Sequence, residues 1–316
     1  MNIAVLDAGT LGADLSLDTL KEFGTLNVYQ STASTELLDR LKDAEVVVVN
    51  KVHIGADALA TAPKLKLICV AATGYDNIDL DACRKKGVGV CNVAGYSTDS
   101  VAQITVASVL YLVCHYGEYV PFVRNGSYTA SSTANKVSPP FHELRGKTWG
   151  IVGYGNIGRK VGKIASAFGC KVLVCKRTPE EGVECADIDR VCRESDIITL
   201  HTPLTAETKG LIDKSRIAIM KKGVILVNAA RGAVTDEAAL AEALVSGHIG
   251  GLGIDVYSAE PMPEAHPFYP LRRMPNLCPT PHMAWAAYES RQRCLAEICE
   301  NIRAFLKDEK RNRVDL

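Results

Sequence analysis

At 316 residues the chain is long for one hydrophobic core, so two domains are expected. Its 36 Lys plus Arg balance 36 Asp plus Glu, and that neutral total provides no electrostatic basis for a nucleic-acid or membrane partner. The apolar runs, Val46-Val47-Val48-Val49 and Val224-Ile225-Leu226-Val227 among them, stop far short of the roughly 20 residues that cross a bilayer.

The opening run, residues 1–7, has no basic segment and reads as a strand, not a signal peptide. Short β-branched runs at 2–7, 25–29, 44–49, 66–70 and 87–91 predict strands. Helical apolar spacing fills the intervals 15–23, 35–42, 56–62 and 79–86. Alternation of this kind, with strands apolar throughout, predicts a parallel sheet covered on both faces. A long helix follows over about 98–123, rich in small residues (Ala102, Ala107, Ser108) and suited to packing against another helix or a second subunit. Residues 125–140, polar and ending in a Pro pair, predict a loop. A second alternating series starts at Lys147: strands at 148–152, 171–175, 196–200, 224–228 and 251–255, helices at 156–168, 188–194, 214–220 and 236–246. Residues 284–307 are helical again, with Leu295, Ile298, Ile302 and Phe305 on one face.

The eleven cysteines are scattered and none forms a CxxC pair with metal-ligand spacing. Cys69, inside Leu67-Ile68-Cys69-Val70, typifies a small hydrophobe in a strand. Free thiols in a reducing cytoplasm, and no metal, are the expectation.

The first chemical signal is Gly153-Tyr154-Gly155-Asn156-Ile157-Gly158. A glycine pattern alone is weak, but this one leaves a strand and opens a helix, the context a dinucleotide needs. Gly153 permits the tight turn, Gly155 lets backbone approach a pyrophosphate, and Gly158 lets helix pack on strand. The unpaired amides at the helix start favour the negative charge. The next strand would normally end in an acid for the adenosine ribose. Here it ends in Lys176-Arg177-Thr178, so nothing repels a 2′-phosphate, and Arg177 with Lys176 favours NADP. Glu180 or Glu181 reaching a ribose keeps NAD open. The turn Leu200-His201-Thr202-Pro203-Leu204 also follows a strand of this series and is placed beside the dinucleotide.

Three further patterns complete the set: Asn228-Ala229-Ala230-Arg231-Gly232-Ala233-Val234-Thr235-Asp236, Gly253-Ile254-Asp255-Val256-Tyr257-Ser258-Ala259-Glu260-Pro261, and Pro279-Thr280-Pro281-His282-Met283-Ala284-Trp285. A nicotinamide-dependent carbonyl reduction needs a cation to polarise the carbonyl and hold any carboxylate beside it, a proton donor for the developing alkoxide, and the nicotinamide close by. Arg231 offers a planar fork for carboxylate. His282 is an acid suited to neutral pH, and Glu260 would keep the imidazole protonated until the keto oxygen takes the proton. Alone, each of the three reads more readily as a structural or surface residue, and spacing does not show that they converge.

With the glycine turn, with Ala72-Thr73-Gly74-Tyr75-Asp76-Asn77-Ile78-Asp79 and with Asn92-Val93-Ala94-Gly95-Tyr96-Ser97-Thr98-Asp99-Ser100, these patterns closely resemble the D-isomer-specific 2-hydroxyacid dehydrogenases, in particular the glycerate dehydrogenase/hydroxypyruvate reductase branch. The resemblance spans nearly the whole chain. It implies an α/β fold of two Rossmann- or flavodoxin-like doubly wound parallel-sheet domains, with the active site in the cleft between them. The substrate domain would be discontinuous, 1–98 plus 287–316, and the dinucleotide domain 99–286. It gives Arg231, Glu260 and His282 the roles above, sets Asp255 near the nicotinamide with Ala229 among the cofactor-binding residues, and puts the substrate carboxylate on backbone amides around Thr73 and Gly74. Trp285 is expected to wall the substrate pocket toward small acids such as hydroxypyruvate or glyoxylate, with Lys51 as a second cation. Thr98 and Ser100 are expected near the cofactor. The other histidines are read as structural. A homodimer is the family's implication. The competing readings are a dehydrogenase for another small acid such as lactate or formate, and a dinucleotide-sensing corepressor; no long disordered extension accompanies the pattern, which favours an enzyme.

Overall fold

Four valines in succession, Val46–Val49, are buried on both faces, as a central strand of a doubly covered sheet must be. In the computed structural model, which describes residues 1–316, they form β3 of a five-stranded sheet with β1 (Asn2–Val5), β2 (Thr25–Val28), β4 (Leu67–Val70) and β5 (Gly89–Cys91). Its order is β2-β1-β3-β4-β5, parallel throughout, with β1 flanked by β2 and β3. Helices α1 (Ser34–Leu41), α2 (Ala56–Ala60) and α3 (Leu80–Lys86) link the strands. Helix α3 shows how locally the ends are set: Asp79 accepts the Ala82 amide at the start, and Gly87 at φ 73° ends the helix in the left-handed region. Leu37, Leu41, Leu59, Val47, Ile68 and Val90 share one core.

The second series folds likewise. Helices α4 (Thr98–Val113), α5 (Tyr116–Arg124) and α6 (Ser127–Ala130) precede β6 (Thr148–Val152). Then come α7 (Asn156–Ala167), β7 (Lys171–Cys175), α8 (Ile188–Glu194), β8 (Ile197–Leu200), α9 (Lys214–Ala218), β9 (Val224–Asn228), α10 (Glu237–Val245), β10 (Ile249–Ile254) and β11 (Leu277–Pro279). The sheet order is β7-β6-β8-β9-β10-β11, all parallel. One face packs Leu226, Leu240, Leu244 and Leu252, the other Val106, Val109, Trp149 and Val161. Gly251 and Gly253 let α4 lie close on β10: a methyl on Gly253 would stand 3.2 Å from Ser108 Cβ.

Helix α11 (Tyr288–Leu306) returns to the first sheet, where its Cys294, Ile298 and Ile302 are buried. The chain thus forms two doubly wound parallel-sheet units, Met1–Ser97 with Ala286–Leu316, and Thr98–Trp285.

Three local expectations are corrected, and one element is added. The long helix breaks at His115 (φ 52°), and α5 leaves α4 at 70°; Gly117 is seated against Pro275, where a Cβ would meet the carbonyl oxygen at 2.1 Å. Apolar periodicity is blind to that tertiary contact. Of the helix expected over 15–23, only Asp18–Phe23 forms, as a tighter 3₁₀ segment. The loop after Asn125 contains α6. Strand β11 was not anticipated, because three residues ending in proline carry almost no periodic signal. No single helix is long and apolar enough to cross a membrane, and no group of metal-ligating side chains is assembled.

Candidate active site

In the second sheet β6 lies between β7 and β8, so chain direction across the sheet reverses there. The carboxyl ends of strands at such a reversal form a crevice suited to a ligand. Gly153 turns the chain at φ 90°, and a side chain on it would strike the His201 carbonyl at 2.7 Å. Gly158 sits over the same turn, its missing Cβ 2.2 Å from the Gly153 oxygen. Gly155 differs: a Cβ there would meet no protein atom within 4 Å. The space over the start of α7 is therefore open, where Asn156 and Ile157 begin the helix and its amides have no helical acceptors. Tyr154 folds back on Gly162 and faces the Arg159 guanidinium.

His201, at the tip of β8, has both ring nitrogens shielded from solvent and without hydrogen-bond partners, and burial pushes its pKa down to about 3. An orphaned neutral imidazole beside an open phosphate cradle fits a bound dinucleotide. Thr202 is half-buried and Pro203 exposed next to it. At the tip of β7, Lys176 donates to Glu180, which also takes two bonds from Arg159 on α7. These bonds, Lys176 first, hold the Glu180 carboxyl below its usual range. Arg177 and Thr178 are exposed beyond them.

The other three motifs leave β9, β10 and β11, which are adjacent in the sheet. Sheet order therefore does what spacing does not: it brings Arg231, Glu260 and His282 to one edge. Arg231 is extended, donates to Ala230 O at 2.8 Å, and is steadied where Asn228 Nδ2 bonds its carbonyl. Its neighbour Gly232 lies directly on the Tyr257–Ser258 peptide; a Cβ would stand 2.1 Å from the Tyr257 carbonyl carbon. Three residues on, Glu260 Oε1 accepts the Tyr257 amide at 3.0 Å and Oε2 meets His282 Nδ1 at 2.6 Å. Both side chains are only partly buried, 31% and 21% exposed, so the pair reaches solvent or a ligand. A carboxylate accepting from Nδ1–H selects the tautomer and directs Nε2 to the opposite side of the ring.

His282 itself has φ 52°, uncommon for a residue with a side chain. Asp255 explains how it is held. The buried Asp255 carboxylate accepts the Thr280 hydroxyl (2.7 Å) and the Met283 (2.8 Å) and Ala284 (2.9 Å) amides, bracketing His282 on both sides. Trp285 Nε1 closes back on the His282 carbonyl at 2.9 Å, and Ser100 Oγ on the Ala284 carbonyl at 2.5 Å. Thr98 begins α4 two residues before Ser100, and Ala229 is half-buried between Asn228 and Ala230.

The first unit carries the remaining candidates on its own strand tips. Lys51 follows β3, and its amide bonds Asp7 Oδ2 at 2.5 Å. Thr73 and Gly74 follow β4; the Thr73 hydroxyl bonds Val93 O at 2.9 Å, and its carbonyl takes Asn92 Nδ2 at 2.8 Å. Asp7 was not singled out from the sequence, although an acid at the end of a predicted apolar strand was the available signal.

Comparison with known proteins agrees with this geometry. The family model "D-isomer specific 2-hydroxyacid dehydrogenase, NAD binding domain" matches residues 106–284. A glycerate dehydrogenase of Methylorubrum extorquens is 38% identical, the alignment covering 95% of this chain and 96% of that one. A hydroxypyruvate reductase of Blautia hydrogenotrophica is 37% identical, covering 97% of each. Among solved structures, a D-lactate dehydrogenase of Aquifex aeolicus complexed with NAD and lactic acid superposes with a TM-score of 0.87 at 30% identity, covering 100% of this chain and 99% of that one.

Proposed function

The chain belongs to the D-isomer-specific 2-hydroxyacid dehydrogenase family, and from that membership we propose that it reduces a small 2-keto acid, hydroxypyruvate or glyoxylate, using NADPH in preference to NADH. The family makes it an NAD(P)-dependent oxidoreductase of 2-hydroxy acids. The observation that carries the finer reading is the 2.6 Å Glu260–His282 bond on the strand tip beside that of Arg231.

A dinucleotide held by the Gly153–Gly158 turn would supply the hydride for the carbonyl carbon. Arg231 pairs with the substrate carboxylate and polarises the carbonyl. As the oxygen gains charge, His282 Nε2 gives it a proton, and Glu260 steadies the imidazolium through Nδ1. The product is the 2-hydroxy acid, and His282 recovers its proton from solvent. Backbone amides at Thr73 and Gly74, with the Lys51 cation, are assigned to the substrate carboxylate, and Trp285 to the wall that excludes larger acids. Residues 1–98 with 287–316 are accordingly the substrate-binding domain and 99–286 the dinucleotide-binding domain.

The NADPH preference draws support from the tip of β7. Glu180 is engaged by Lys176 and Arg159, which turns that acid away from ribose duty, while Arg177 stands exposed for a 2′-phosphate. A homodimer is assigned on the exposed Tyr116, Val120 and Val123 of α5 with Phe141 after it. A steady-state panel of both dinucleotides against hydroxypyruvate, glyoxylate, pyruvate and larger 2-keto acids tests the function. Turnover is expected with the two small acids and fastest with NADPH. No turnover with any 2-keto acid would refute the reductase; a strong NADH preference would remove the Arg177 assignment alone.

A further inference from the structure

We propose that Glu237 and His266 form a second carboxylate–imidazole pair, one that positions the Glu260-bearing turn and so acts on the proton donor without touching substrate. This rests on the assignment of Glu260 and His282 just made.

Glu237 opens α10, and His266 lies in the segment between β10 and β11. Their side chains are almost completely buried, 8% and 3% exposed, and meet at 2.9 Å. The hydrogen bonds around them fix the roles. The Phe268 amide donates to His266 Nδ1 at 3.3 Å, so Nδ1 is the acceptor and the proton sits on Nε2, facing Glu237. Glu237 also accepts the Ser258 amide at 2.9 Å and the Ser258 hydroxyl. All three partners are donors aimed at one carboxylate.

Ser258 is the link. Two consecutive amides point at two carboxylates: Tyr257 N–H at Glu260 and Ser258 N–H at Glu237. The Tyr257 ring packs edge-on against the His266 ring, at 5.7 Å and 88°, and its hydroxyl bonds the Thr280 carbonyl two residues before His282. Gly232, next to Arg231, rests on the same Tyr257–Ser258 peptide. The two peptides flanking Tyr257 therefore act together: the one before it donates to Glu260, the one after it abuts Gly232 beside Arg231, and the buried pair holds the second and, through the shared Tyr257, the first. A buried carboxylate hydrogen-bonded to an imidazole is a costly choice if stability alone is wanted, since an apolar pair of similar size would need no compensating donors. Its use here is directional, because a carboxylate fixes where three donors point.

The test is Glu237→Gln, which keeps size but presents an amide that does not accept from all three donors. We expect kcat to fall about tenfold or more, KM to stay within about twofold, and the primary isotope effect on kcat with 4-deuterated NADPH to grow as chemistry becomes limiting. Because the glutamine variant risks misfolding, His266→Phe, which preserves a ring in place and removes the Nε2 donor together with the long 3.3 Å acceptor contact at Nδ1, should show the same split with a smaller fall. Nitrogen-15 histidine spectra of the unliganded protein should report the Nε2–H tautomer at His266. Unchanged kcat in folded variants, kcat and KM shifting together with an unchanged isotope effect, or the Nδ1–H tautomer would each overturn the proposal. His282→Ala run alongside separates the two layers. An inactive His282→Ala with normal Glu237→Gln and His266→Phe refutes only the positioning role, whereas an active His282→Ala removes the proton donor on which it rests.

Discussion

The first sheet reverses direction between β1 and β3, the second between β6 and β8, and the two reversals are finished in opposite ways. In the first, the chain leaves β1 into Asp7, whose buried carboxylate accepts the amides of Asn50, Lys51 and Val52 after β3. In the second, it leaves β6 into Gly153, which rests against the His201 backbone after β8 and hands on to a helix start open above Gly155. One crevice holds its own anion; the other leaves its helix-start amides open. The same reversal of strand order is thus filled by a side-chain carboxylate in one unit and left open in the other, and the difference lies in an aspartate after β1 and a glycine after β6.

The largest effect that would sharpen this contrast lies on the second sheet. His282→Ala should lower turnover about 10²–10⁴-fold while the folded fraction is unchanged, measured as kcat beside far-ultraviolet dichroism; a near-normal rate removes His282 from the chemistry. On the first sheet the cost should appear as stability. Asp7→Ala leaves the buried Asn50 amide and the partly buried Lys51 and Val52 amides without their acceptor and should destabilise the protein by about 2 kcal/mol in urea unfolding. A variant as stable as the parent would break the comparison at its root.

The open reversal also leaves His201 unsatisfied, which has a pH signature. Burial holds its folded pKa near about 3, against 6.5 for an unperturbed histidine. Below pH 6.5 the unfolded chain takes up a proton that the folded one refuses, so stability present above that pH is lost as pH falls toward 3. Between pH 7 and pH 5 the loss should be about 2 kcal/mol, read from urea midpoints, and His201→Phe should flatten it. A parent curve as flat as the variant's would refute the buried neutral imidazole. The smallest effect is the most discriminating. Gly155→Ala places its methyl in space empty of protein, so stability should hold while dinucleotide affinity falls about tenfold. Calorimetric titration and thermal unfolding check it, and equal affinity would mean that the phosphates lie elsewhere. Gly158→Ala, forced against the Gly153 oxygen, should lose both.

Much of the molecule is determined locally and was legible in the sequence. The valine run at β3, the Asp79 and Asp236 caps, and the glycine turn are all set by side-chain period, capping and backbone freedom within a few residues. The motifs around Arg231, Glu260 and His282 could likewise be singled out as residue types suited to the chemistry. Their convergence could not, because it depends on β9, β10 and β11 being neighbours, and β11 is too short to announce itself. The same holds for the break at His115, forced where Gly117 meets Pro275, and for Asp7 and the Glu237–His266 pair, whose partners stand 43 and 29 residues away. Turn and helix chemistry act over one or two turns of chain, whereas strand order and buried hydrogen-bond partners are settled only when the whole sheet is packed. The sequence by itself therefore determined the parts and their chemistry, and the tertiary structure decided which of them meet.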